Sequence, residues 1–293
     1  MKLLTLICIF LAGNAFAETT NRFRRTEDVI YGRKPGVALT LDVFQPAATN
    51  NGIGIAFMVS GGWFSSHEAI NPAFYESFLN RGYTVFAVVH GAQPKYTIPE
   101  IEQDVKRALR FIRFSAKRFK VNPEKIGVVG ASAGGHLSLI LATKGTKGDP
   151  NAKDPVDRES SEVKCVGCFF PPTDFLNYGK PGDDAAGVGT LKDFKAAFGP
   201  RSENAEDRQK LAREISPIYF IHTNICPILI LHGDADKLVP IYQAQKFLER
   251  CESVGGKTKL VVREGKQHGW AEMGKDEEII ADWFDEHLRA IKP

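Results

Sequence analysis

The sequence lacks an apolar run long enough to cross a bilayer, an internal repeat, a low-complexity tract and any large excess of one charge sign. A spanning helix takes roughly 20 apolar residues, and the N-terminal stretch 3–12 stops well short of that. The 38 Lys and Arg against 35 Asp and Glu leave a formal charge of +3 over 293 residues. No basic run stands out. Lys106, Arg107, Arg110, Arg113, Lys117, Arg118 and Lys120 recur at helical spacing and read as a solvated helix face, so no nucleic-acid partner is expected. Cysteine is scarce, five in the chain. Cys165-x-x-Cys168 has no second such pair and no nearby histidine pair, and it lies in a strand-like run, which argues against a metal centre. Neither a metal nor an organic cofactor is expected.

The N-terminus has a recognisable composition. Met1-Lys2 precedes the apolar stretch, and Ala15-Phe16-Ala17 then gives an A-x-A pattern before Glu18. Together they predict a secretory signal peptide over 1–17, cut after Ala17. Cys8 follows Ile7 rather than a small residue, so no lipid anchor is expected there. The expectation is a secreted or periplasmic protein, with no membrane anchor after cleavage and one folded domain over 18–293. Export permits disulfides among Cys165, Cys168, Cys226 and Cys251, but spacing cannot pair them.

What is present is an alternation. Short apolar runs at 53–60, 83–89, 126–129, 163–170, 227–233 and 257–262 read as strands, most of them buried on both faces. Two more, 28–31 and 39–44, lie close together with no helix between them and predict an antiparallel start. Helical periodicity falls between the strands. It is clearest after Thr97-x-x-Glu100, a capping-box pattern with Pro99 in the first turn. Apolar residues follow at Ile101, Val105, Ala108, Leu109, Ile112, Ala116 and Phe119. The last helix carries Ile279, Ile280, Trp283, Phe284, His287, Leu288 and Ile291 on one face. The stretch 175–216 is polar, Gly-rich and irregular, and reads as a lid or insertion. Such a pattern predicts an α/β fold. Its centre is a mostly parallel sheet of about eight strands, flanked by helices on both faces, with chemistry at the carboxyl ends of the strands.

One such end is unusual. Residues 125–143 pass from a strand through Gly130-Ala131-Ser132-Ala133-Gly134 into a helix. G-x-S-x-G between strand and helix is the setting of a nucleophile elbow, which lifts the serine hydroxyl above the sheet. The positive end of the following helix dipole points at the same spot. A serine needs a base. His268, in "GKQHGW", sits in a polar loop between the last strand and the last helix. His136 and His287 read as structural, and His67, His90, His222 and His232 are weaker candidates. The base needs a carboxylate partner. Asp234 and Asp236 in "GDADKLVP", and Asp174 in "PPTDF", are all acceptable by chemistry.

With "SGGWFSS", "GASAGGHLSL", "HGDADKLVP" and "QHGW" in that order, the chain resembles the α/β-hydrolases, near the acetyl esterase/lipase and feruloyl-esterase-like (BD-FAE-like) group. The likeness covers nearly all of 18–293. It implies Ser132 as nucleophile, His268 as base and Asp236 as acid, with Asp234 left to the turn. It also implies an oxyanion hole from the N–H of Ala133 and one or more of those of Gly62 and Trp63. Many relatives carry His where this chain has Ser60. The implied activity is that of a serine carboxylesterase acting on small acyl esters, acetyl or feruloyl esters of carbohydrates among them. The polar 175–216 stretch argues against long-chain lipids. One rival is a prolyl-oligopeptidase-like serine peptidase, though such enzymes usually carry a propeller for which there is no room. Another is a non-catalytic binding protein on a hydrolase fold, whose mark would be a missing triad member.

Overall fold

The computed structural model describes residues 23–47 and 49–289. The signal peptide expected at 1–17, its cleavage site, Cys8 and Ile291 lie outside the described residues. The strands are β1 (Phe23–Lys34), β2 (Val37–Pro46), β3 (Gly54–Val59), β4 (Thr84–Val89), β5 (Ile126–Ala131), β6 (Cys165–Phe169), β7 (Ile228–Gly233) and β8 (Thr258–Arg263). The helices are α1 (Glu76–Asn80), α2 (Ile98–Phe114), α3 (Ala116–Phe119), α4 (Ala133–Lys144), α5 (Lys195–Phe198), α6 (Ala205–Ile215), α7 (Tyr242–Glu252) and α8 (Met273–Phe284). Among these, none is long and apolar enough to cross a membrane.

All eight strands form one sheet in the order β1-β2-β4-β3-β5-β6-β7-β8. The first two strands form the expected antiparallel pair, and β2 runs antiparallel to β4; the other pairings are parallel. From β3 the chain steps to β4 on one side, then returns to β5 on the other. The direction of winding therefore reverses between β3 and β5, and a crevice opens beyond their carboxyl ends. The "SGGWFSS" loop follows β3 and the serine follows β5, so the two motifs face each other across that crevice.

Alternate residues of the central strands feed two cores. Ala56, Met58 and Val128 pack under α2, α4 and α7, while Ile55, Val59 and Val129 pack under α1 and α8. Every residue of α4 from Ala133 to Thr143 is buried, which explains why the sequence there is apolar on all sides. The capping box of α2 is formed: the Thr97 N–H donates to Glu100 Oε2 at 2.7 Å. The periodic run breaks at Ser115 and resumes as α3, which ends on Lys120 at φ 56°.

The basic face of α2 is not solvated as its charge pattern predicts. Lys106 and Arg113 are buried. Lys106 and Lys144 both pair with Glu102 at 2.6 Å. Arg107 holds Asp154 at 2.6 Å and Asp157 at 2.8 Å, and Arg113 donates to the carbonyls of Pro123, Ser160 and Glu162. Arg107 and Arg113 fasten the loop between α4 and β6 onto the helix. Charge periodicity gives no sign of a loop arriving from 50 residues away.

The stretch 175–216 is polar only outward. Phe175, Tyr178, Leu191, Phe198, Leu211 and Ile215 are buried in the larger core. Arg208 ties it together through Asp184 at 2.8 Å and Ser202 O at 3.0 Å. The four cysteines among the described residues are free thiols. Cys165 and Cys168, three apart on one strand, project from opposite faces of the sheet into different cores, so the two sulfurs cannot share an ion. Burial pushes the Cys226 and Cys251 thiols up to about 12.

Glu277 on α8 is a buried carboxyl whose two oxygens have no protein partner among the described residues. Burial, with Glu278 and Glu76 nearby, pushes it up to about 10. A carboxyl raised in the folded state contributes stability that is fully present below its unfolded value, about 4.3, and is lost as pH rises toward the folded one. Glu277→Leu is therefore expected to raise the melting temperature, with the gain widening from pH 5 to pH 9 in thermal melts.

Candidate active site

Ser132 stands between the last residue of β5 and the first of α4, at φ 54°, ψ −119°. That backbone conformation is one few L residues adopt, and it is held by its surroundings. The Ser132 N–H donates to Phe169 O on β6 at 2.9 Å, and the His136 N–H donates to Ser132 O at 2.9 Å. The flanking glycines are close-approach positions. A Cβ on Gly130 would lie 2.4 Å from the Gly134 carbonyl, and one on Gly134 would lie 2.6 Å from Met58 O. The G-x-S-x-G spacing is thus what lets strand, helix and β3 meet while the hydroxyl stands clear.

The structure brings three distant side chains together. His268, in the loop after β8, places Nε2 2.9 Å from Ser132 Oγ and Nδ1 2.8 Å from Asp236 Oδ2. A carboxylate can only accept, so Nδ1 carries the proton and bare Nε2 faces the serine hydroxyl. Asp236 is buried, and its Oδ1 accepts the N–H groups of Leu238 and Val239, each at 2.9 Å. Burial by itself would raise this carboxyl. Hydrogen bonds from His232 and His268, the His268 charge and the Val239 N–H outweigh that, and hold it well below the usual carboxylate range.

The two other acidic candidates serve turns. Asp234 Oδ1 accepts the Gly265 N–H at 2.7 Å. Asp174 accepts from the Leu176 N–H, Asn177 and the Tyr219 hydroxyl. Around His268 the structure adds groups with no obvious sequence signature. The Phe170 ring lies 4.4 Å from the imidazole, centroid to centroid, and itself packs against Trp270. His232 donates from Nε2 to Val239 O at 2.8 Å, and that nitrogen is 3.5 Å from Asp236 Oδ2.

Across the crevice, Gly61 and Phe64 exchange backbone hydrogen bonds of 3.0 and 2.9 Å around a two-residue turn with Gly62 at φ 54° and Trp63 at φ 61°. This is the left-handed geometry of a primed turn, which glycine takes without strain and tryptophan takes under compulsion. Gln93 supplies the compulsion. Its side-chain amide donates to Gly62 O and its backbone N–H donates to Trp63 O at 3.3 Å. In a planar trans peptide the N–H points opposite the preceding carbonyl. With Gly62 O turned to Gln93, the Trp63 N–H is turned away from it. Among the described residues, the N–H groups of Gly62, Trp63 and Ala133 have no protein acceptor.

Ser60 is itself held by a histidine: His90 Nε2 lies 2.8 Å from its Oγ, and His90 Nδ1 lies 2.8 Å from Gly91 O. The Trp63 indole is buried and donates to His136 Nδ1 at 3.2 Å. His136 can accept there because its Nε2 donates to Ile215 O at 2.7 Å. Burial pushes both His90 and His136 down to about 4, so they are neutral anchors at neutral pH. The sequence-expected structural role of His136 holds, and the role of His90 becomes visible only once β4 is set beside β3. His287 packs edge-on against Trp283, and His67 lies beside Asp42 at 3.2 Å.

Compared with known proteins, the chain is 27% identical over 231 residues to the probable carboxylic ester hydrolase LipM of Mycobacterium tuberculosis, covering 78% of this chain and 52% of LipM. It is 25% identical over 234 residues to Esterase LipC of the same organism, covering 80% and 56%. The chain thus spans about half the length of the curated relatives it matches. Among solved structures, an esterase of Thermogutta terrifontis, Est2, superposes with a TM-score of 0.70 at 25% identity, over 91% of this chain and 94% of that one. A truncated carbohydrate esterase from gut microbiota gives 0.74 at 23% identity over 92% and 99%, a likeness of fold. The sheet and its flanking helices are those of an α/β-hydrolase. Residues 41–251, well over half of the chain, match BD-FAE, and the chain belongs to that family.

Proposed function

We propose that the chain is a serine carboxylesterase that cleaves small acyl esters through a Ser132–His268–Asp236 triad and an acyl-enzyme. The observation that carries this reading is the pair of contacts at His268, 2.9 Å to the serine and 2.8 Å to the buried aspartate. Ser132 Oγ attacks the ester carbonyl as His268 Nε2 takes its proton, and Asp236 steadies the imidazolium. The oxygen that becomes negative is received by the N–H groups of Ala133 and the 62–63 turn, at the positive end of α4. His268 then passes its proton to the departing alcohol, and water repeats the sequence to free the acid. Carbohydrate esters are proposed as the natural substrates. The carbohydrate-esterase fold likeness and the composition of 1–17 support this, since an exported enzyme meets polymer-derived esters. A mature protein recovered outside the cytoplasm and starting at Glu18 would support export; an intact Met1 would oppose it.

The reading is tested by labelling folded protein with a fluorophosphonate and locating the adduct. Modification at Ser132 together with turnover of 4-nitrophenyl acetate is the expected result. Turnover of a proline anilide with no ester hydrolysis would turn the assignment to a peptidase, and no labelling at all to a binding protein. The 62–63 turn has its own test. In Gly62→Ala the new Cβ would lie 2.4 Å from the Phe194 ring at a φ of 54°, so the turn must move. Loss of one oxyanion donor is worth about 10²–10³-fold in kcat. A fall of that order, with KM for 4-nitrophenyl acetate changed only a few-fold, is expected.

A further inference from the structure

We infer that Phe194, carried by the 175–216 insertion, walls the acyl side of the site and restricts the enzyme to short acyl groups, acetyl rather than feruloyl. This rests on the esterase reading above and sharpens it. Four aromatic rings meet at the oxyanion turn: Trp63, Phe175, Phe194 and Phe198. Three of them are buried, with Trp63 2% exposed, Phe198 1% and Phe175 0%. Phe194 alone keeps an accessible surface, as a partly buried residue packed on that cluster. It also presses on the turn itself, since its Cε1 and Cδ1 lie 2.4 and 2.7 Å from where a Gly62 Cβ would be. The ring therefore occupies the space beside the turn that would receive the substrate carbonyl oxygen.

Geometry decides which half of the ester meets it. A tetrahedral carbon on Ser132 has three other directions. Its oxyanion points to the 62–63 turn, and its leaving oxygen must point to His268, which supplies the proton. His268 follows β8 and Asp236 follows β7, both on the far side of β5 from β3. The alcohol therefore leaves on the β6–β8 side. A wall against Gly62, across the serine from His268, confronts the remaining direction, the acyl chain. The wall is also fixed in place. Phe194 stands edge-on to Trp63, 6.3 Å between centroids, and Trp63 is tethered through His136 to α4. A feruloyl group is a rigid conjugated aryl chain that cannot fold away from such a ring, whereas an acetyl methyl ends short of it.

The test measures kcat/KM for 4-nitrophenyl acetate, butyrate and hexanoate, for methyl ferulate, and for acetates of a small and a bulky alcohol, with wild type, Phe194→Ala and Phe194→Val. Each added methylene that a pocket rejects is worth about 10-fold or more. Wild type is expected to prefer acetate to hexanoate by at least about 10-fold. Phe194→Ala is expected to shift the hexanoate-to-acetate ratio upward by a similar factor and to gain turnover of methyl ferulate. Phe194→Val keeps some bulk, should fall between, and supplies the readout if the alanine variant does not fold. An unchanged ratio in both variants, with wild type active on acetate, overturns the inference and leaves the esterase reading standing. So does a shift confined to acetates of bulkier alcohols, which would put the ring on the alcohol side. Wild type inert toward every ester and unlabelled at Ser132 overturns the esterase reading and the inference with it.

Discussion

Ser132→Ala is expected to lower kcat for 4-nitrophenyl acetate by about 10⁴–10⁶-fold while leaving the melting temperature within a degree or two of wild type. The two effects separate because Ala keeps the Cβ and therefore the backbone conformation at φ 54°, ψ −119°. Ser132→Gly should be equally inactive and yet melt higher. A non-glycine residue in so sparsely populated a region costs about 1–3 kcal/mol, and glycine removes that cost while loosening the unfolded chain by about 0.4–1 kcal/mol. A net gain of about 1 kcal/mol corresponds to roughly 2–4 °C in a chain somewhat smaller than this one. Thermal melts and steady-state kinetics on the two variants make the check. If Ser132→Gly melts below Ser132→Ala, the elbow is not under strain; if Ser132→Ala retains turnover near wild type, Ser132 is not the nucleophile. What holds the strain is the convergence of Gly130 and Gly134 with β3, and the Ser132 N–H bond to Phe169 O.

Much of this was legible in the chain because local patterns and global fold agree. Doubly buried strands advertise themselves as unbroken apolar runs, and the capping box marks the start of α2 to the residue. The serine and histidine stand out because a reactive group at a strand end needs small or polar neighbours. The anchors around them were not legible, for a consistent reason. His90, Gln93 and His136 are single polar residues whose partners, Ser60, Gly62 and Trp63, lie in the loop after β3, so no short window contains the pair. The same holds for two cations of α2: Arg107 and Arg113 look solvated until the 154–162 loop is laid on them. The 175–216 stretch misled in a related way. It is rich in charge and glycine, but Phe175, Phe194 and Phe198 converge on one indole, Trp63, more than 100 residues earlier. Asp236 lies between these extremes. Composition left three aspartates open, and the choice followed from resemblance alone until the hydrogen bonds of Asp234 and Asp174 showed both occupied in turns.

Asp236→Asn is expected to cost about 10⁴-fold in kcat through a change of tautomer. The reason lies in the two backbone donors on Oδ1. The N–H groups of Leu238 and Val239 sit 2.9 Å from that oxygen and require an acceptor, so the amide oxygen of Asn must stay there. The amide NH₂ then occupies the place of Oδ2, 2.8 Å from His268 Nδ1. Two donors cannot face each other, so Nδ1 becomes the acceptor and the imidazole proton moves to Nε2. There it points at Ser132 Oγ, and the serine has lost its base with the heavy atoms nearly in place. Asp234→Asn and Asp174→Asn, in which the same exchange touches only turns, should stay within a few-fold of wild type. The stability difference carries a sign that follows from the depressed carboxyl. A group lowered in the folded state contributes stability that is present above its unfolded value, about 3.9, and is lost as pH falls toward the folded one. Wild type should therefore out-melt Asp236→Asn most clearly at neutral pH, with the gap closing below about pH 4. A variant that kept turnover near wild type would move the acid to another residue. One whose melting deficit grew as pH fell would mean that the Asp236 carboxyl is raised rather than lowered in the fold.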